Sequence, residues 1–183
     1  DPDPSISRGK ENYAGIDYKY FKADIGERDE GLEIVGGNYY TLFGRGLVLK
    51  SYEDRAIRID NNLLGLRVAG KYAGFVLTGL TGSAANANNE RLDILHAADL
   101  EYRGWKPLKT GLTVASNLPS SGDAARTTLA SLRVLPSFWN VDIYGEYTAK
   151  FNEDINQDIF NGSETIVGQG VYGNLNFYLG SLS

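Results

Sequence analysis

The chain has 183 residues, a formal charge of −5, no cysteine and no methionine. Without cysteine it is neither a disulfide scaffold nor a zinc-thiolate protein, and its negative balance gives no electrostatic reason to expect nucleic acid as a partner. No stretch approaches the ~18–20 uninterrupted apolar residues of a membrane-spanning helix, and a chain 42% apolar and 22% charged does not have the composition of a disordered one. Without an initiator methionine, Asp1 follows a removed signal sequence or opens a piece of something longer. The 22 glycines and 12 tyrosines point to an all-β protein with tight turns and an aromatic surface.

Along the chain the hydrophobic period is two rather than 3.6. Alternation runs through residues 13–24, 32–40, 63–69, 72–81, 92–102, 108–118, 126–135, 140–151 and 165–179, about nine strands in all. Residues 92–102 show the pattern well: Leu92, Ile94, His96, Ala98, Leu100 and Tyr102 share one face, and Asp93, Asp99 and Glu101 the other. In 140–151, Val141, Ile143, Gly145, Tyr147, Ala149 and Phe151 lie opposite Asp142, Tyr144, Glu146, Thr148 and Lys150. The best helix candidate is 124–135. Gly70-Lys71 reads as a two-residue hairpin turn that pairs Ala69 with Tyr72 and puts Phe75 and Leu77 on the face of Leu66 and Val68.

Short connections at 103–107 and 136–139 alternate with longer polar ones at 41–62, 83–90, 119–125 and 152–164. An antiparallel meander with its short turns at one end and its long loops at the other gives this order, as in outer-membrane barrels. The expected fold is therefore an all-β, antiparallel up-and-down transmembrane β-barrel, or part of one. Residues 1–183 form a single barrel domain or a fragment of a larger barrel, with 41–62 as a long loop and constriction candidate. An odd strand count, a start at an external loop and an end without a closing aromatic favour the fragment over a complete eight- or ten-stranded barrel.

Alternation alone does not say which face is buried, since a soluble barrel puts the apolar face inside and a membrane barrel puts it outside. Strands of ~9–12 residues match the ~9–11 needed to cross a bilayer at a tilt. Small residues on the apolar face and aromatics near strand ends (Tyr39, Tyr40, Tyr72, Tyr102, Trp105, Trp139, Phe151 and Tyr178) favour the membrane. The lumen face then carries Asp17, Lys19, Arg67, Asp93, Asp99, Glu101, Lys109, Arg133, Asp142, Glu146 and Lys150. Charge of both signs there implies weak ion selectivity or, in a narrow barrel, an interlocked salt-bridge network.

Residues 36–66 stand apart, with charges of both signs among glycines and aromatics. The string G-N-Y-Y-T-L-F-G-R-G-L, followed by Y-E-D-R and R-I-D-N-N, resembles a family of uncharacterised porin-like outer-membrane β-barrels of Gram-negative bacteria. That resemblance implies a location, the bacterial outer membrane, and a fold, but no substrate. Gly44 and Gly46 flank Arg45 and permit a tight bend. Arg45, Lys50, Arg55 and Arg58 are placed to pair with Glu53, Asp54 and Asp60, either in an inward-folded loop that constricts the pore or in a charged external loop. The pore-lining and constriction candidates are these seven together with Arg67, Asp99, Glu101, Arg133, Asp142 and Glu146.

Catalytic and cofactor signatures are not found: there is no G-x-S-x-G elbow, Walker loop or H-E-x-x-H pair. His96 lies alone on an apolar face. Asp154, Asn156 and Asp158 make a weak calcium candidate, because the sixth and twelfth positions of the loop hold Ile159 and Thr165 instead of glycine and glutamate. The expected function is a non-enzymatic, cofactor-free outer-membrane barrel, a porin-like passive channel or surface scaffold. Its partners would be the lipid bilayer and other envelope proteins or further copies of itself. A structural subunit of a larger envelope assembly and a secreted soluble ligand-binding barrel are the alternatives; the latter requires Ile94, Leu112, Ile143 and Phe177 to face inward.

Overall fold

The structure, a computed structural model, describes residues 13–16, 20–27, 29–54, 56, 59–85, 90–120, 126–153 and 165–178. Strands β1 (Tyr13–Ile16), β2 (Tyr20–Gly26), β3 (Gly31–Tyr39), β6 (Leu63–Tyr72), β7 (Phe75–Ala84), β8 (Ile94–Tyr102), β9 (Leu108–Leu118), β10 (Arg126–Phe138), β11 (Val141–Glu153) and β12 (Thr165–Phe177) form one ten-stranded sheet in chain order. Every neighbouring pair is antiparallel. Two further strands, β4 (Glu53–Asp54) and β5 (Ile59–Asp60), make a small hairpin within the β3–β6 connection. Among the described residues β1 and β12 do not pair, so the sheet is an up-and-down meander that is not closed, a partial barrel.

Four expectations change. The main sheet has ten strands rather than nine, because the alternation at 13–24 is divided between β1 and β2. Second, the helix candidate at 124–135 gives way to the strand reading of 126–135, which is β10: β-branched Thr127, Thr128 and Val134 suit a pleated surface, and burial alternates along it. Its ladder to β11 lapses at Leu135 and Pro136, where proline has no N–H to donate. The third change is the hairpin turn, which lies at Ala73-Gly74 with Tyr72 opposite Phe75, not at Gly70-Lys71. Both turn residues have positive φ (49° and 82°), the backbone a two-residue hairpin with the native strand twist requires. Moving the turn by three residues shifts the register by an even number, so Leu66, Val68, Phe75 and Leu77 still share a face. Fourth, Tyr39 is no surface aromatic. It points into the sheet's buried face, and its hydroxyl donates to the Thr81 carbonyl at 2.9 Å.

The sheet curls. Five residues separate Tyr39, at the end of β3, from Gly44, which lies against Glu146 on β11. Five residues span at most ~18 Å, whereas six flat inter-strand steps from β3 to β11 would measure ~29 Å. The concave face is consequently enclosed and the convex face is open.

The side chains divide by face. Outward are Leu64, Leu66, Leu77, Leu100, Leu112, Val114, Leu132, Val134, Ile143 and Leu175, all exposed. Ile94, Leu112, Ile143 and Phe177, which the soluble-barrel alternative needs inside, are all on this exposed side. Inward are Arg133 (3% exposed), Glu146 (2%) and Asp99 (6%), with buried Thr78, Thr113, Ser131 and Thr148. Exposed aromatics gather at the short-turn rim: Tyr72, Phe75, Trp105, Phe138, Trp139, Phe177 and Tyr178. Trp139, at the tip of the β10–β11 turn, has a φ of 50° and is fully exposed.

Candidate functional site

The concave wall is charged in its half nearer the short turns. Lys22 on β2 reaches Asp24 at 3.3 Å and Glu33 on β3 at 3.0 Å, and Arg67 on β6 pairs with the same Glu33. Further round, Arg133 on β10 donates to both oxygens of Asp99 on β8 at 2.7 and 2.8 Å, to Thr113 Oγ1 at 2.8 Å and to Glu101 at 3.3 Å. Thr113 Oγ1 in turn donates to Asp99 at 2.5 Å. Arg103, beyond the end of β8, grips Glu101 through two bonds at 2.6 and 2.9 Å. Bidentate, charge-assisted geometry of this kind fixes side chains in one arrangement.

Gly111 on β9 makes room for this network. A Cβ there would lie 2.4 Å from both Nε and Cζ of Arg133, so the guanidinium rests on bare backbone. Gly82 does the same for Tyr39, whose hydroxyl would be 2.9 Å from a Cβ at position 82.

Toward the long-loop end the concave wall turns apolar, with Val35, Tyr39, Leu63, Leu80, Ala97 and Ala115 in one buried cluster. The first half of the β3–β6 connection folds down onto it. Residues 41–51 form a compact hairpin: Ser51 N–H donates to the Thr41 carbonyl at 2.8 Å, Phe43 N–H to the Leu49 carbonyl at 3.1 Å and Gly46 N–H to the Phe43 carbonyl at 2.9 Å. Phe43 is buried in the apolar cluster, with Val48 and Leu49 packed beside it. The hairpin's tip, Gly44-Arg45-Gly46, reaches the opposite wall.

There Arg45 N–H donates to Glu146 Oε2 at 3.1 Å, and Tyr144 Oη donates to the same oxygen at 2.5 Å. The Arg45 guanidinium lies 5.2 Å from the centre of the Tyr144 ring, within the range of a cation–π contact. Gly44 has a φ of 56°, and a Cβ on it would come within 2.9 Å of the Glu146 carboxylate and the Tyr144 hydroxyl. Glu146 Oε1 is buried with no hydrogen-bond partner among the described residues. A cavity of about 500 Å³ lies beside the hairpin, lined by Tyr20, Lys22, Glu33, Tyr39, Phe43, Arg67, Lys71 and Arg103 among others.

The remaining candidates separate. Asp99, Glu101 and Arg133 form the network above, and Arg45 meets Glu146. Lys50 lies over the Tyr52 ring at 4.5 Å. Glu53, Asp54 and Asp60 sit on the β4–β5 hairpin and do not line this cavity. Their carboxylates bond locally: Asp54 accepts from Ala56 N–H at 2.9 Å and Asp60 from Tyr40 Oη at 2.9 Å. Burial and the Asp60 carboxylate push the Tyr40 phenol up to about 12. Asp142 is at the short-turn rim, where it accepts from Tyr178 Oη at 2.9 Å. Arg55, Arg58, Asp17, Lys19 and the calcium candidate Asp154, Asn156 and Asp158 lie outside the described residues.

Sequence reasoning passed over Lys22, Glu33, Phe43 and Tyr144. The first two were legible as the charged positions of alternating strands. Phe43 and Tyr144 were not, because nothing local to them shows that the β3–β6 loop meets β11.

No curated protein and no solved structure matches this chain. A family model described only as a family of unknown function, DUF6029, matches residues 9–179. With nearly the whole chain covered, the protein belongs to the DUF6029 family.

Proposed function

We propose that the chain is the wall of an outer-membrane β-barrel whose polar interior offers a passive, porin-like route narrowed by the inward-folded 41–51 hairpin. The observation that carries this reading is the inversion of its faces: leucine, isoleucine and valine are exposed on the convex side, while arginine, aspartate and glutamate are buried on the concave side. In water, exposing so continuous an apolar face has no compensation, and monomeric soluble proteins rarely do so. In a bilayer it is the favourable arrangement, with an outward apolar band and a polar lumen.

Strand lengths support the reading, since β6 to β12 run from 9 to 13 residues, against the ~9–11 a tilted crossing strand needs. The rim of exposed tryptophan, tyrosine and phenylalanine at the short turns supports it as an interfacial girdle. The resemblance of residues 36–66 to porin-like outer-membrane proteins points the same way. Refolding into lipid vesicles tests it. The folded chain should be retained by detergent or lipid and should migrate differently on a denaturing gel with and without boiling. A chain that purifies from water as a folded monomer without detergent would overturn it.

A further inference from the structure

The hairpin at 41–51 is held in two unlike ways. On the near wall it is anchored by apolar burial of Phe43. On the far wall its tip is held by polar contacts: Glu146 accepts the Arg45 N–H and the Tyr144 hydroxyl through one oxygen, the Arg45 guanidinium lies over the Tyr144 ring, and the other Glu146 oxygen is buried with no hydrogen-bond partner among the described residues. A buried carboxylate left half-satisfied is a costly arrangement. The tip of the hairpin lies against both of its oxygens. Arg133, opposite Glu146 in the β10–β11 register, is committed to Asp99 and Glu101. Glu146 therefore has the hairpin tip as its backbone partner and gains water when the tip leaves.

We propose that this contact is the latch of a gate: with the tip on Glu146 the hairpin closes the lumen at that level, and release of the tip opens it. The proposal rests on the membrane-barrel reading and specifies how that lumen is regulated. In this gate the moving part is the glycine-flanked tip. The left-handed backbone at Gly44 and Gly46 (φ 56° and 86°) suits it to a tight turn that lifts as a unit about the Phe43 anchor.

Single-channel recording in planar bilayers tests the latch. Wild type, Glu146→Ala and the double variant Arg45→Cys/Glu146→Cys are each first shown to be heat-modifiable and inserted. The chain has no native cysteine, so the introduced pair is the only thiol chemistry present. Wild type should be predominantly closed, and E146A should spend several-fold more time open. The double-cysteine variant should resemble E146A when reduced and return to the closed level when bridged by a short bis-thiol cross-linker. Equal open probability in inserted wild type and E146A, or a cross-link that leaves the open state untouched, would overturn the latch while leaving the barrel intact. Failure of all three to insert would overturn the barrel reading and the latch with it.

Discussion

The convex and concave faces of the same strands obey opposite rules. On β9, Leu112 is half exposed and its neighbour Thr113 is fully buried. On β10, Leu132 is exposed and Arg133 is not. Each step of one residue crosses from an apolar surface with no protein against it to a polar one, where Thr113 and Arg133 bond to each other and to Asp99. A soluble sheet protein puts its apolar face in the core and its charges in water. Here charges fill the short-turn half of the interior and leucines cover the exterior. The exterior therefore depends on its surroundings for stability, whereas the charged half of the interior depends on hydrogen-bond geometry.

That contrast can be broken from either side. The largest effect should come from inside. Arg133→Ala leaves buried Asp99 without its cation, while Glu101 keeps Arg103, and should cost about 3–5 kcal/mol, read from refolding equilibria in vesicles under denaturant. Pairing it with Asp99→Asn should recover part of the loss, because removing both members of a pair costs less than orphaning one. Next is the outside. Leu112→Arg, near the middle of β9, should cost about 2–4 kcal/mol in a bilayer and almost nothing if that face meets water, so the same variant measured in lipid and in detergent of differing thickness sharpens the assignment. Gly111→Ala, on the inside, pushes a methyl group into the Arg133 guanidinium and should cost about 1–3 kcal/mol. The smallest is Tyr39→Phe, which removes one neutral hydrogen bond to a strand carbonyl and should cost about 0.5–1.5 kcal/mol.

Much of this contrast was legible in the sequence. Period-two alternation assigned the faces of β8 and β11 residue by residue, because strand geometry permits only two sides. It survived a misplaced turn at 70–71 for the same reason. The turn itself was hidden because Ala73-Gly74 lacks the asparagine or aspartate that usually announces positive φ. Residues 126–135 alternate as a strand and are also the core of the best helix candidate, because their alanines and leucines are good helix formers; pairing with β9 and β11 decides for the strand. What was not legible was the long-range part. The sequence offers Arg45 as a partner for charges in its own segment and Gly44 as one side of a tight bend, and the structure brings both against Tyr144 and Glu146, about a hundred residues away in sequence. Gly111 carries no local sign of its role, which is set entirely by an arginine on the neighbouring strand.

The central claim is that lipid meets the convex face and water the concave one. Cysteine substitution one residue at a time, followed by a fluorescent label and quenching from brominated lipid, tests it most directly. Leu112, Leu132 and Ile143 are exposed outward, and Lys71, Lys109 and Lys150 are exposed inward, so a label fits at every position. Labels at the three outward positions should be quenched by brominated lipid and shielded from aqueous iodide, and labels at the three lysine positions should show the reverse. Iodide quenching at 112, 132 and 143, with no response to brominated lipid, would contradict the account.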